Sequence, residues 1–586
     1  MTEYPSLNKP WLKYFNKEAD KYVVEDTNQS AYQYILKANK NNLDYIALEY
    51  FNTKITYRDL FNNINKIAKS LKAFSISKGD YVTLCLPNIP EIVYFVYALN
   101  RIGAVACLID PRTNSEGILE RANNSNSKLV IAVTDILKEK IIPISEQFNA
   151  KAIIGISPAN STTIYSAKGI AVKLLYLLKN INKCKYSSKF INYKIFLEMG
   201  KTWNAEIDGK HTKGVPAIVV YTSGTTGSSK GVMLSNENMI SSKRLIEYGV
   251  SKVTRNASFL GVIPFFSSYG AFTGMNNSLC SGWKIILIPR FKPEQFGKLL
   301  IKHKAVSALG VPRFWSDFAG ANLNIDLSFL KNPVCGGDKI SPSEVLKINR
   351  YLLSHNANRL KIGYGASEFG GGIAITTENG PYDKNSTGEI LPGVIGMVID
   401  PDTGKEMKYN ESGELCFYSP TMMSGYLNND KETNNLIIIK DGVKFYRTGD
   451  KGFINENGCV FIVGRYKRVM MRPDGHTVHA TSIENIIMEH AAVESCAVVG
   501  LPLDSGAGVI PTAFIKLNNQ IVNSAKIIDE IDELCTRKIP ERDKAHAYII
   551  IDTIPYTPMG KVDYRALEKY CFSDADFIVK DRTFLK

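Results

Sequence analysis

Residues 221–231 read Tyr-Thr-Ser-Gly-Thr-Thr-Gly-Ser-Ser-Lys-Gly, and the fold is read outward from them. Gly224 and Gly227 let the backbone come close to a polyanion, while its N–H groups and the hydroxyls around them can donate to phosphate oxygens. Lys230 adds a cation at the end of the loop. The apolar run Ala217–Val220 leads in as a strand buried on both faces, and Ser235 with Glu237 marks the cap of a helix ending near Gly249. Strand, flexible loop and helix in that order predict a phosphate site. The Walker pattern is excluded, because it needs Gly-Lys followed by Ser or Thr, whereas Gly231 follows Lys230. Gly, Ser and Thr alone also suit a flexible connector, so the rest of the chain has to arbitrate.

Upstream, Ser30 is placed to cap a short helix through Tyr34 and Ile35, and Ile46–Tyr50 with Lys54–Ile55 reads as a hairpin around Asn52-Thr53. Thr56, with Asp59 three residues on, opens a helix whose Leu60, Ile64, Ile67 and Leu71 share one face. Tyr81–Leu86, Ala104–Ile109 and Leu129–Val133 read as strands, with a helix from Glu91 to Arg101 ended by Gly103. Downstream, Phe259–Pro264, Trp283–Pro289 and Ala305–Pro312 are strand candidates, and Val334–Asp338 and Ile362–Glu368 are strand-like approaches to glycines. This alternation predicts an α/β protein whose large N-terminal domain, 1–464, is built of open, mainly parallel sheets with flanking helices. Ligand sites in such sheets gather where strands meet loops. Residues 388–449 break into short strands and turns. After Gly464-Arg465-Tyr466-Lys467, helices near 483–489 and 525–537 and strands near 497–500, 512–517 and 548–551 predict a small α+β domain, 465–586. Gly365-Ala366-Ser367-Glu368-Phe369 fails the hydrolase elbow at its last position, and Gly363-Tyr364-Gly365 lacks the third glycine of a dinucleotide fingerprint.

The bulk numbers narrow the class. The chain has 586 residues, enough for more than two folding units, and its 45% hydrophobic and 22% charged content is that of a soluble globular protein. It has no run of about 18 apolar residues, and Met1–Pro5 lacks a basic-then-apolar leader, so a cytoplasmic protein is expected. The ten cysteines are scattered without Cys-x-x-Cys spacing, which predicts reduced core residues. His476 and His479 have no acidic or thiol neighbour in sequence and read as surface or packing residues. A net charge of +14 admits an anionic partner such as a nucleotide, CoA, an acidic carrier protein or a membrane surface. Abundant Lys, Asn, Ile and Tyr also follow from an AT-rich genome, and no nucleic-acid partner is expected. Between Gln147 and Leu197 there is no acidic residue, while Lys168, Lys173, Lys179, Lys183, Lys185, Lys189 and Lys194 surround the apolar run Leu174–Leu178. That segment reads either as a solvated surface insertion or as a basic, apolar stretch in weak contact with an anionic membrane.

The full wording of residues 221–231 resembles the signature loop of the adenylate-forming (AMP-binding) superfamily, which includes acyl-CoA synthetases, firefly luciferase and the adenylation domains of nonribosomal peptide synthetases. Further segments from about Tyr45 to Tyr564 resemble that family's motifs in its order: Gly336-Gly337, Tyr364–Glu368, Tyr446–Asp450, Gly464–Lys467 and Pro555–Lys561. The resemblance implies that ATP and a carboxylic acid give acyl-AMP and pyrophosphate, and that the acyl group then passes to the thiol of CoA. Such an acid-thiol ligase uses ATP, CoA and Mg²⁺.

The resemblance also assigns residues. Thr222, Ser223, Gly224, Thr225, Thr226, Gly227 and Lys230 would hold the β- and γ-phosphates, and Glu368 with Thr222 would hold Mg²⁺. Tyr364 would stack on adenine opposite Gly336 and Gly337, with Asp338 and Gly365 close by and Ser367 reaching the α-phosphate. Asp450 would bind the ribose hydroxyls and Arg465 the ribose or a phosphate. Lys561 would be the catalytic cation at the α-phosphate and substrate carboxylate, withdrawn once the acyl-AMP forms. Lys467 would be the hinge about which a mobile small domain rotates between the two half-reactions. Met470–Gly475 departs from the lysine- and glycine-bearing loop of luciferase-like members. Ser267, Ser268, Tyr269 and Gly270 would line the substrate pocket. Amino-acid-activating relatives place an aspartate in this stretch to hold the substrate ammonium, and none is present. Many ligases have a His where Ser267 stands, and Gly270, Gly274 and Met275 suggest an uncrowded tunnel, so a fatty acid is expected rather than an aromatic or amino acid. A stand-alone adenylation enzyme loading a carrier protein's phosphopantetheine thiol is the alternative within enzymes. A non-catalytic nucleotide-binding module is the alternative outside them, against which Glu368, Arg465 and Lys561 speak.

Overall fold

Ile218, Val219 and Val220 are buried because strand Pro216–Thr222 runs inside an eight-stranded sheet. The computed structural model describes residues 3–15, 19–24, 28–162, 167–178, 188–222, 229–249, 254–466, 469–472, 476–502, 509–518, 524–557, 560–570 and 578–579. Across that sheet the strands are Gly425–Tyr426, Lys230–Ser235, Pro216–Thr222, Val105–Leu108, Tyr81–Cys85, Leu129–Val133, Ala152–Ile156 and Phe190–Asn192. Those from Pro216–Thr222 to Phe190–Asn192 run parallel. Covered on both faces, they carry continuous apolar runs instead of alternation.

A nine-stranded sheet stands beside it, in the order Glu389–Ile390, Gly371–Ile375, Lys361–Ala366, Asn332–Cys335, Ser307–Gly310, Ser258–Gly261, Lys284–Leu287, Ile46–Tyr50 and Thr53–Thr56. Its interior is parallel and both edges close in antiparallel hairpins. Helix Pro90–Ile102 is buried along its length except at Arg101, as a helix between layers must be, and Gly103 ends it in the left-handed conformation. A five-stranded antiparallel sheet, Ile395–Ile399 to Val460–Arg465, completes this part. Its largest buried cluster runs from Trp11 to Val460, with smaller ones beside it. Beyond it, helices Ala480–Ile487 and Ser524–Lys538 pack on a four-stranded sheet around a separate cluster from Met470 to Tyr548.

The α/β fold class and the strands named from sequence are present, and so are the local signals. Ser30 with Gln33 and Thr56 with Asp59 form capping boxes. Four readings need correction. Residues 221–231 do not join a strand to a helix: Lys230–Ser235 is a strand paired antiparallel with Pro216–Thr222, with Thr222 opposite Lys230. The helix Asn236–Gly249 follows only after it, capped by Ser235 and Asn238 rather than Glu237. The 147–197 segment is not wholly a surface insertion, because Ala152–Ile156 and Phe190–Asn192 extend the eight-stranded sheet. The hairpin turn near residue 52 lies at Phe51-Asn52, both with positive φ, one residue earlier than expected. The eight described cysteines are free thiols and seven are buried. Burial pushes the Cys85 thiol up to about 12. No helix among the described residues is long and apolar enough to cross a membrane.

Candidate active site

The hairpin brings Lys230 against residues that are remote in sequence. Leu427 N–H donates to Gly231 O at 2.7 Å and Ser424 N–H to Met233 O at 3.0 Å, which adds Gly425–Tyr426 as an edge strand. The Lys230 ammonium then pairs with the Glu432 carboxylate and lies 5.0 Å from the Tyr426 ring centroid. Tyr426 Oη donates to Glu368 Oε1 at 2.7 Å. Burial, and then the neighbouring Glu368 charge, push the Tyr426 phenol well above its ordinary pKa, so it stays a donor at any working pH. Tyr426 and Glu432 were not singled out from sequence. Asn429 capping helix Asp430–Asn435 was the available signal, but only the sheet register points that helix at Lys230. Of the expected phosphate-loop residues, Ser223, Gly224, Thr225, Thr226 and Gly227 lie outside the described residues. Thr222 is described, and its carbonyl accepts from Ser229 Oγ at 2.8 Å.

Tyr364 rises from strand Lys361–Ala366, with its hydroxyl 2.6 Å from Asp450 Oδ2. Arg465 Nε stands 2.7 Å from Asp450 Oδ1, because Asp450 and Arg465 are register partners in the antiparallel pair Val443–Ile454 and Val460–Arg465. Asp450 is buried and Arg465 half open to solvent, so the carboxylate is fixed from two sides while one face of the guanidinium meets water. The Asp450 charge raises the Arg465 pKa further. Gly365 has no room for a side chain, since a Cβ there would fall 1.9 Å from Gly371 O. The Tyr269 ring lies against Gly336 and Gly337, and its hydroxyl is buried with no hydrogen-bond partner among the described residues.

The expected pocket residues join this group, with one correction. Ser268 Oγ donates to Ser367 Oγ at 3.1 Å, which brings 267–270 beside 364–368. Ser267 Oγ is held in its own turn, donating to Pro264 O at 2.7 Å and accepting from Gly270 N–H at 3.2 Å. Gly270 does not widen a tunnel: a Cβ there would sit 2.0 Å from Pro264 O. Gly274 packs against Phe259 and Phe265, and Met275 is fully buried. These positions serve close packing of the helical segment, not free space.

The loop carrying Lys561 closes on the same cleft. Thr557 N–H donates to Lys561 O at 2.7 Å and Gly560 N–H to Thr557 O at 2.8 Å, a tight turn with Gly560 at φ +80°. Val562 N–H donates to Asp338 Oδ2 at 3.3 Å, and the Arg313 guanidinium covers the Tyr556 ring at 4.4 Å. Lys339 adds an ion pair to Glu484 at 3.7 Å. Asp338, expected near adenine, is thus engaged by this loop. The cleft walls strip water from the Lys561 ammonium and hold its pKa below the ordinary lysine value; Asp338 and Glu368 pull it up, and Arg465 acts with the walls. Lys561 is itself exposed to solvent, so the wall effect is partial. A lysine that works protonated is active below its pKa and lost above it. If Lys561 is the cation of the adenylation expected from sequence, the alkaline limb of that reaction should lie below the ordinary lysine range and move lower still in Asp338→Asn, which removes an upward pull. A pH profile of pyrophosphate exchange checks this, and an unmoved limb would mean Asp338 does not act on Lys561.

Other expectations resolve differently. Lys467 lies outside the described residues, as do residues 473–475 of the departing loop. Arg472 in that loop is buried, donating to Arg542 O at 2.6 Å and standing 2.8 Å from His546 Nε2. His476 does have an acidic partner, Asp543 at 2.5 Å, supplied by a turn 67 residues on. Among the described residues no group of three or more His, Cys, Asp and Glu forms a metal cluster. A cation held by one carboxylate and substrate phosphates needs no such cluster, and Glu368, with one oxygen fixed by Tyr426 and its charge felt at Lys561, suits a magnesium ion brought in with ATP.

Comparison with known proteins agrees with this geometry. The AMP-binding enzyme family matches residues 36–427, and the AMP-binding enzyme C-terminal domain matches residues 482–561. Probable 4-coumarate-CoA ligase 3 of Dictyostelium discoideum is 31% identical over 485 residues, 80% of this chain and 82% of that protein. Long-chain-fatty-acid-CoA ligase of Bacillus subtilis (strain 168) is 27% identical over 572 residues, 95% and 97% of the two chains. The crystal structure of ATP-bound MatB from Rhodopseudomonas palustris gives a TM-score of 0.76 at 21% identity, over 92% of this chain and 99% of that one. At that identity the likeness speaks to the fold.

Proposed function

This chain belongs to the AMP-binding enzyme family, and we propose that it is an AMP-forming acid-CoA ligase that activates a fatty acid as acyl-AMP and passes the acyl group to CoA. The observation that carries the reading is the loop of Lys561, which closes on the cleft where Val562 N–H meets Asp338 and Tyr556 lies under Arg313. A pure nucleotide binder has little use for a withdrawable cation at that point. In this reading the 221–231 hairpin grips the β- and γ-phosphates, with Glu432 and Tyr426 holding Lys230 in place beforehand. Asp450, fixed by Tyr364 and Arg465, accepts from the ribose hydroxyls. Glu368 and Thr222 would hold Mg²⁺, which neutralises phosphate charge when bound. Lys561 meets the charge that grows on the α-phosphoryl oxygens as the carboxylate attacks.

The division into 1–464 and 465–586, with Lys467 as hinge, belongs to the same proposal, as does a cytoplasmic location. The family's range of acids is wide; 264–270 offers hydroxyls and no carboxylate for a substrate ammonium, which speaks against an amino acid, and what supports a fatty over an aromatic acid is the likeness to the long-chain-fatty-acid-CoA ligase over 95% of this chain. A screen of ATP-dependent pyrophosphate release over fatty, aromatic and amino acids, with and without CoA, tests it. Turnover of fatty acids with CoA-dependent discharge is expected. Activity confined to one α-amino acid would overturn the substrate class, and acyl-AMP that CoA cannot discharge would favour a carrier-protein thiol as acceptor.

A further inference from the structure

Helix Ala167–Leu178 reads Ala-Lys-Gly-Ile-Ala-Val-Lys-Leu-Leu-Tyr-Leu-Leu, and a helix of that composition ordinarily turns its apolar stripe into a core. Here the stripe faces water. Ile170, Leu174 and Leu175 are 43%, 53% and 48% exposed, and Ala171 is exposed beside them. At ~100° per residue these positions span an arc of roughly 140°, with Lys168 and Lys173 close outside its two borders. Lys302, from helix Phe296–His303, crowds Lys168, and the two like charges depress the Lys168 pKa. No acidic residue occurs in the sequence from 148 to 197 to offset them.

An exposed aliphatic stripe edged by lysines is the pattern of a helix lying in a bilayer interface, where the apolar side chains sink to the acyl boundary and lysine stems reach back to phosphates. The pattern is a poor match to a protein partner. Protein interfaces are anchored by aromatic residues and Arg and are depleted of Lys. A second copy would set lysine borders against lysine borders. We propose that helix Ala167–Leu178 is a docking face for an anionic lipid surface, with Ile170, Leu174 and Leu175 in the acyl boundary and Lys168, Lys173 and Lys302 on headgroup phosphates. This does not depend on which acid the enzyme activates.

The test is co-sedimentation of the full chain with phosphatidylcholine vesicles containing phosphatidylserine, and with phosphatidylcholine alone. Binding at low ionic strength should be at least about tenfold tighter to the anionic vesicles and should weaken with salt. Lys168→Glu/Lys173→Glu should lose about tenfold or more, and Leu174→Ser/Leu175→Ser at least as much, with pyrophosphate exchange on a water-soluble acid unchanged. Absent binding at low ionic strength, or equal binding to both vesicles, would overturn the proposal. So would a wild-type dimer that Leu174→Ser converts to monomer, or an acidic carrier protein released by these variants while their vesicle binding persists.

Discussion

Replacing Lys561 with Ala should cut ATP-dependent pyrophosphate exchange about a thousandfold, the scale seen when one fixed donor to a developing charge is removed, while discharge of supplied acyl-AMP to CoA persists. The asymmetry follows from where the residue sits. Lys561 enters the cleft on a loop held by a few contacts: the Asp338 bond to Val562 N–H, Arg313 over Tyr556, and Gly560 beside Phe314 and Val311. Contacts of that kind at an open cleft are individually weak, so the loop can be withdrawn. Asp450, Tyr364 and Arg465 by contrast are tied through strand register and a buried hydroxyl. The adenosine side of the site is therefore rigid and the cation at the reacting centre is removable, which suits a reaction whose first half needs the charge and whose second half needs the space. If both half-reactions fall together in Lys561→Ala, the lysine is serving the fold of the cleft rather than adenylation.

Much of this was legible in the sequence where a signal is local. Ser30 with Gln33, Thr56 with Asp59 and Gly103 after Arg101 are satisfied by neighbours within one helical turn, so a linear reading finds them. The strand Lys230–Ser235 was missed because Gly231-Val232-Met233-Leu234 is short and directly abuts a capped helix. Only its pairing with Pro216–Thr222 makes it a strand. The two glycines before Asp338 place it near adenine, and that reading carries no sign of a second contact. The bond that Asp338 accepts from Val562 N–H comes from 224 residues away and is delivered by a separate core. The Lys230–Glu432 and Tyr426–Glu368 pairs span 202 and 58 residues, and nothing in the spacing of either links them. Gly270 was legible as a glycine that matters, but its reason, the Pro264 carbonyl, is a contact across a turn that composition does not reveal.

Gly560→Ala should lower pyrophosphate exchange by about a hundredfold without touching any charge. Gly560 sits at φ +80°, a conformation that costs an L-residue about 1–2 kcal/mol. A Cβ there would also fall 2.9 Å from Phe314 Cε1 and 3.0 Å from Val311 Cγ2, an overpacking of roughly 1–3 kcal/mol. Phe314 cannot easily retreat, because it is buried against Phe291 and Phe296 at centroid distances of 5.0 and 5.6 Å. Together about 3 kcal/mol would be charged against the docked loop, which is roughly the expected factor in rate. Because the penalty falls on docking alone, discharge of supplied acyl-AMP should hold or rise. Phe314→Leu in the Gly560→Ala background should recover part of the loss, the part due to crowding, while the backbone strain remains. Pyrophosphate exchange and acyl-AMP discharge measured on the three proteins separate the outcomes. Full exchange activity in Gly560→Ala would show that the loop reaches the phosphates by a path that does not press Gly560 against Phe314.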